Sequence, residues 1–295
     1  MYQAFQQTVW EYYRAHGRHG LPWRQFEPDG TLDPYKVLVS EVMLQQTQVP
    51  RVIPKFEAFI RQFPTLQSLA SAPLADVLRA WNGLGYNRRA KFLWQATSMI
   101  VNDFGGRVPE AVSDLVKLPG IGHNTAGAIA AYSYNRPVVF IETNIRTVFI
   151  YHFFATEQQV PDKAIANLVA QTLPDEEGGR AAGTRIHFAS RAMRNTVGVS
   201  HIRNWYWALM DYGTYLKQTV GNMNKQSKQY AKQSAFEGSR RQVRGQVLRL
   251  LSAHPLDVAS LTQLVTDARL SEVLADLERE GLITKAGQAY SLVDS

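Results

Sequence analysis

Apolar residues recur at helical spacing in segments near 3–15, 34–49, 53–62, 87–103, 124–134, 144–154, 160–173 and 201–216. The intervals carry turn chemistry: Gly20-Leu21-Pro22, Pro28-Asp29-Gly30, Gly105-Gly106, Pro119-Gly120 and Gly178-Gly179. Strand-like alternation is scarce before residue 280, so the pattern predicts an all-α body. The C-terminal stretch reads as helices over 240–252, 258–266 and 269–280, then two short strands around Ile283 and at Tyr290–Leu292. Three helices and a β-hairpin of this size describe a winged-helix-like module.

A chain of 295 residues suits two or three domains. Hydrophobic residues at 45% and charged residues at 19% exclude wholesale disorder. The absence of cysteine excludes disulfides, thiolate nucleophiles and Cys-held clusters. No run approaches the roughly 18 apolar residues of a membrane span, and Met1–Gly20 does not read as a secretory signal. A soluble cytoplasmic protein, nucleoid-associated in a bacterium, is expected. The formal net charge of +7 suits a polyanionic partner.

That charge is uneven. Residues 215–252 hold eight basic residues and one acidic residue, Glu237. Within them, 221–239 has little apolar periodicity and reads as a linker, either tracking phosphates or simply solvated. Residues 253–295 hold seven acidic residues and three basic ones. The helix where a winged helix would read DNA carries Glu272, Asp276, Glu278 and Glu280, which favours packing or a partner over phosphate contact.

Three constellations carry chemistry. In Val37–Leu44, Glu41 has Val37, Leu38 and Leu44 as helical neighbours. A carboxyl desolvated there is raised in pKa and fit to be a general acid; alternatively it shares a solvent-facing stripe with Gln45 and Gln48. Leu118-Pro119-Gly120-Ile121-Gly122-His123-Asn124-Thr125-Ala126-Gly127 reads as a helix-hairpin-helix. Its glycines permit positive φ and close approach of the backbone to a ligand, and its second helix presents unpaired N–H groups to an anion. In Val138–Arg146, an apolar run delivers Glu142 to a helix start, where the dipole is expected to hold it ionised. One raised acid and one ionised carboxylate suit acid catalysis at a glycosidic carbon.

In this order and spacing the three elements resemble the helix-hairpin-helix DNA glycosylases. Ser40–Val49 (SEVMLQQTQV), Leu21-Pro22-Trp23-Arg24 and Gly83-Leu84-Gly85-Tyr86 resemble the MutY-type adenine DNA glycosylases almost letter for letter. The resemblance covers roughly residues 1–216. It implies a duplex-DNA enzyme that flips a purine nucleotide into a pocket. Glu41 would protonate adenine N7, and a carboxylate would stabilise the oxocarbenium-like sugar. By the same resemblance, Leu21, Trp23, Arg24, Asn124 and Asp211 belong to the base pocket. Gln46 and Tyr86 wedge into the stack and Thr47 contacts the opposing base. Gly120, Gly122, His123, Thr125 and Asn144 bind DNA, with Lys225, Lys228 and Lys232 added from the linker.

The sequence departs from that family in four places. Its catalytic Asp is here Glu142. The C-x6-C-x2-C-x5-C that holds a [4Fe–4S] cluster in many members falls at Lys217, Asn224, Ser227 and Gln233, so no cofactor is expected. The lyase lysine of relatives such as endonuclease III is Asn124, which predicts a monofunctional enzyme. The usual opposite-strand sensor domain is replaced by the winged-helix-like module. The expected organisation is 1–32 with 136–216, carrying Glu142; a six-helix barrel-type domain over 33–135 with the hairpin at 114–134; the basic linker 217–239; and the module 240–295. The reading is a monomeric glycosylase for adenine opposite 8-oxoguanine or guanine. The alternatives are excision of thymine, uracil or hypoxanthine, or an inactive lesion binder.

Overall fold

The computed structural model describes residues 2–174, 202–232 and 235–294. Within them the helical pattern translates into α1 Gln3–His16, α2 Pro34–Leu44, α3 Val49–Gln62, α4 Leu66–Ala70, α5 Leu74–Trp81, α6 Arg88–Asp103, α7 Val112–Leu115, α8 His123–Tyr134, α9 Thr143–Phe153, α10 Asp162–Thr172 and α11 Ile202–Thr219. The predicted 34–49 helix stops at Leu44, because Gln46 turns left-handed at φ 58°. Helices α4 and α5 escape the periodicity because they are short. Their signals are local: Thr65 and Ser68 form a capping box at α4, and Pro73 precedes α5. The turn at Gly178-Gly179 lies outside the described residues.

The chain forms two compact units, residues 1–34, 110–112 and 122–232, and residues 35–109, 113–121 and 233–295. In the first, α11 packs on α1 and α9. Its aromatic run, Trp205, Tyr206, Trp207 and Tyr212, is buried. Tyr206 stacks on Phe140 at 4.1 Å and donates its hydroxyl to the Val138 carbonyl at 2.6 Å. Such a pair is worth about 0.5–1.5 kcal/mol beyond its area. Gly213 lets the α11 backbone touch the start of α9: a Cβ there would lie 2.3 Å from the Asn144 carbonyl oxygen.

Residues 221–229 are not a free linker. A 3-10 turn, Met223–Gln226, buries Asn224, which donates to Thr147 Oγ1 at 2.7 Å and the Thr143 carbonyl at 3.2 Å. Val160 bridges to Ser227, its N–H donating to the Gln226 carbonyl at 2.9 Å and its carbonyl accepting from the Lys228 N–H at 3.0 Å. The sequence shows no apolar period here because the anchoring is polar.

In the second unit α6 packs on α4 and α5. The C-terminal module forms as expected: α12 Arg240–Leu251, α13 Val258–Leu264, α14 Leu270–Arg279 and the hairpin β2 Ile283–Ala286 and β3 Ala289–Leu292. A two-residue strand, β1 Leu256–Asp257, adds to β3 to give the order β1-β3-β2, antiparallel throughout. The module belongs to this unit. Arg79 Nε donates to the Ser252 carbonyl at 3.3 Å and Lys91 Nζ to the Glu280 carbonyl at 2.6 Å. Among the described residues no helix is long and apolar enough to cross a membrane.

Gly213→Ala should lower the urea midpoint of unfolding by the equivalent of about 2–3 kcal/mol, since backbone must move to admit the methyl. Gly245→Ala, mid-helix with nothing within 4 Å of the added Cβ, should leave the midpoint unchanged or raise it. Equal midpoints for the two variants would show that the α9–α11 contact is not tight.

Candidate active site

Helix α2 places Glu41 in the second unit. Every residue from Val37 to Met43 is buried, and Glu41 itself is 9% exposed. Gln48 is exposed, so Glu41 does not share a solvent-facing stripe with it. Helix α2 ends one turn beyond the carboxyl, and its last carbonyls need donors from outside the helix. Arg89 supplies them. Its Nη1 donates to the carbonyls of Val42 at 2.8 Å, Met43 at 2.9 Å and Gln45 at 2.5 Å. Its Nη2 donates to Thr47 Oγ1 at 3.0 Å and the Gly85 carbonyl at 3.0 Å.

The same guanidinium therefore joins the α2 end to the Gly83–Tyr86 turn. Both segments are strained, Gln46 at φ 58° and Tyr86 at φ 48°. Each left-handed non-glycine residue costs about 1–3 kcal/mol and persists only where its surroundings impose it. Gln46 is exposed, and Thr47 and Tyr86 are half-buried. Sequence reasoning missed Arg89, whose charge next to Arg88 reads as a solvated helix start; its spacing three residues after Tyr86 was the available signal.

Tyr86 also meets the C-terminal module: Arg241 lies over its ring at 5.2 Å and donates to its hydroxyl. Of the two hairpin glycines, only Gly120 takes positive φ, 76°; a Cβ there would stand 2.8 Å from Phe92 Cβ. Gly122 is extended at φ −86°, because it caps α8 rather than turning the chain.

In the first unit His123 and Asn124 are exposed at the start of α8 and Thr125 is half-buried. Asn124 Oδ1 accepts from the Ile141 N–H at 3.2 Å, linking α8 to the run that leads to Glu142. Glu142 is the N-cap of α9, but its side chain makes no capping hydrogen bond. Asn144, half-buried, lies in the first turn of the same helix. Burial pushes the Glu142 carboxyl up to about 7, opposed by the positive charge of Lys217. Burial thus opposes the ionised state that the helix dipole and free amides are expected to favour. Arg146 is engaged with Asp162 in a paired ion contact at 2.8 and 2.7 Å.

The 3-10 turn Pro22–Arg24 buries Trp23 and Arg24 beside the buried Leu21. Arg24 forks onto Asp211 at 2.8 and 3.0 Å and lies over the Trp207 ring. Asp211 also accepts from the Arg18 N–H and Nε, both at 2.7 Å. Burial would raise its carboxyl, but Arg24 and Arg18 hold it below the usual range. The Arg24–Asp211 pair thus ties the Pro22–Arg24 turn to α11. Lys225, Lys228 and Lys232 are exposed on the anchored 221–232 segment.

Where a thiolate-held cluster would sit, the donors do not fit. Lys217 is a cation, Asn224 is bonded to Thr147, and Ser227 Oγ serves the Gln229 N–H at 3.1 Å; Gln233 lies outside the described residues. Among the described residues no group of three or more His, Cys, Asp or Glu could hold a metal ion.

Residues 39–172 match the family described as HhH-GPD superfamily base excision DNA repair protein. The adenine DNA glycosylase of Mycolicibacterium smegmatis is 33% identical over 279 residues, 91% of this chain and 89% of that one. That of Buchnera aphidicola subsp. Schizaphis graminum is 40% identical over 164 residues, 54% of this chain and 46% of that one. The chain spans about half the length of this and the two further Buchnera relatives it matches. A thermostable thymine-DNA glycosylase structure shares the fold, with a TM-score of 0.53 at 20% identity over 76% of this chain and 94% of that one.

Asp211→Ala should cost about 3–5 kcal/mol, because it strands the buried Arg24 charge. Asp211→Asn, which keeps an acceptor, should cost less. Chemical denaturation of both variants checks this; an alanine variant as stable as the parent would show that the ion pair holds nothing.

Proposed function

The chain belongs to the HhH-GPD superfamily of base excision DNA repair proteins, in the branch of the MutY-type adenine DNA glycosylases, and from that membership we propose that it is a monofunctional DNA glycosylase acting on adenine opposite 8-oxoguanine or guanine. The observation that carries the reading is the buried Glu41 on a helix that runs straight into the strained Gln46 turn. A dry carboxyl is suited to protonating adenine N7 and making the base a neutral leaving group. The C1′–N9 bond then breaks with oxocarbenium character, Glu142 as carboxylate steadies the cation, and water completes the hydrolysis.

Gln46 and Tyr86 fill the gap left by the flipped nucleotide, Thr47 meets the opposing base, and Leu21, Trp23, Arg24, Asn124 and Asp211 border the base. Gly120, Gly122, His123, Thr125 and Asn144 take phosphates at helix starts, and Lys225, Lys228 and Lys232 add sequence-independent contacts. The partner is duplex DNA with a mismatch or oxidised base. The protein works as a cofactor-free monomer in the cytoplasm, on the nucleoid.

End-labelled duplexes carrying A, T, U or hypoxanthine opposite G or 8-oxoguanine, treated with alkali after incubation, test this. Cleavage is expected at A, and Glu41→Gln should slow it by roughly 100- to 10,000-fold. Cleavage at another base reassigns the substrate, no cleavage at all makes the protein a lesion binder, and scission without alkali refutes the monofunctional reading.

The single-turnover rate should also fall as pH drops through about 7, where the Glu142 carboxylate takes up its proton. Lys217 favours the charged form, so Lys217→Gln should move this acid limb to higher pH. Glu142→Gln should be inactive and Glu142→Asp active. An acid limb unmoved by Lys217→Gln, or an active Gln variant, removes Glu142 from the mechanism.

A further inference from the structure

We propose that Arg89 is a positioning residue that locks Gln46 and Tyr86 into one preassembled wedge. The proposal rests on the reading of those two side chains as the groups that enter the base stack, and assigns what holds them ready. Arg89 lies in the first turn of α6 and is 8% exposed. Among the described residues its partners are carbonyls and one hydroxyl, with no carboxylate. Those acceptors bracket both strained residues. The Gln45 carbonyl and Thr47 Oγ1 stand on either side of Gln46. The Gly85 carbonyl precedes Tyr86, whose own carbonyl takes Nε at 3.4 Å and the Arg89 N–H at 2.9 Å. The guanidinium also lies between the rings of Trp81 at 5.3 Å and Tyr86 at 5.6 Å.

A staple needed only for stability would serve with relaxed turns. Here two of the four left-handed non-glycine residues among the described ones, Gln46 and Tyr86, are tied together from one planar fork. Arginine presents five N–H donors in fixed directions; lysine carries the same charge with three donors on one atom and cannot span both segments. The wedge is thus set before DNA arrives, and the cost of ordering it is not charged to the flipping step.

The test uses the whole chain as Arg89→Lys and Arg89→Met, with thermal unfolding followed by circular dichroism. Single-turnover excision is compared between adenine opposite 8-oxoguanine and adenine opposite an abasic site, which has no pairing partner and whose gap needs less wedging to keep open. Arg89→Lys should lose about tenfold or more on the paired substrate and stay within about threefold of the parent on the unpaired one. A 2-aminopurine placed next to the mismatch should brighten when the parent binds and stay dim with the variant. Equal losses on both substrates, or no loss on either with 2-aminopurine brightening as with the parent, overturns the proposal. If Arg89→Met does not fold, Arg89→Lys decides alone. A parent protein that excises adenine from neither substrate refutes the glycosylase reading instead, and the 2-aminopurine signal then decides the wedge by itself.

Discussion

Burying a guanidinium costs several kcal/mol unless its donors all find acceptors, and the corner between α2 and α6 is built around that constraint. Arg89 is satisfied by main-chain carbonyls, several of them at the negative pole of α2, and by the Thr47 hydroxyl. The exchange is mutual. The helix that carries Glu41 gains donors for carbonyls that its abrupt end would orphan, and the guanidinium gains a counter-dipole that a carboxylate would otherwise supply. Main-chain dipoles fix the arginine without a second side-chain charge.

The first unit solves a similar problem with real charges. Arg24 and Arg18 converge on Asp211 from the N-terminal segment to α11, so the chain's start is pinned to a helix almost two hundred residues later. Both solutions leave little slack at the helix ends they join. Glu142 is the exception: its helix start offers free amides, yet the side chain takes none, and burial leaves it balanced near neutrality.

The helical body and the C-terminal module were legible because amphipathic periods of three or more turns survive any packing arrangement. Glu41 was legible for the same reason, a lone carboxyl in an apolar run. Two kinds of feature were not. Short elements such as Leu66–Ala70 lack the length for a period, and only the Thr65 cap betrays it. Polar anchoring was read with the wrong sign: Asn224 and Ser227 look like linker residues, yet they are buried because Thr143, Thr147 and the Val160 backbone meet them. A hydrogen bond between residues eighty apart leaves no trace in local composition. Arg89 was hidden likewise, since nothing adjacent in sequence shows that its acceptors arrive from α2.

The acidity of the C-terminal module also changes meaning once its pairs are known. Asp276 is engaged by Arg240 and Arg279, and Glu280 by Arg244 at 2.5 Å. The basic α12 and the acidic α14 therefore neutralise much of each other inside the module, and the repulsion from phosphate that its composition suggests is largely spent. What α12 has left over it directs elsewhere in its own unit: Arg241 reaches the Tyr86 ring and hydroxyl. The module that packs its own charges thus also extends one arginine to a strained tyrosine. Its acidic surface is then the by-product of internal pairing, and the module's own net charge is a poor guide to what it touches.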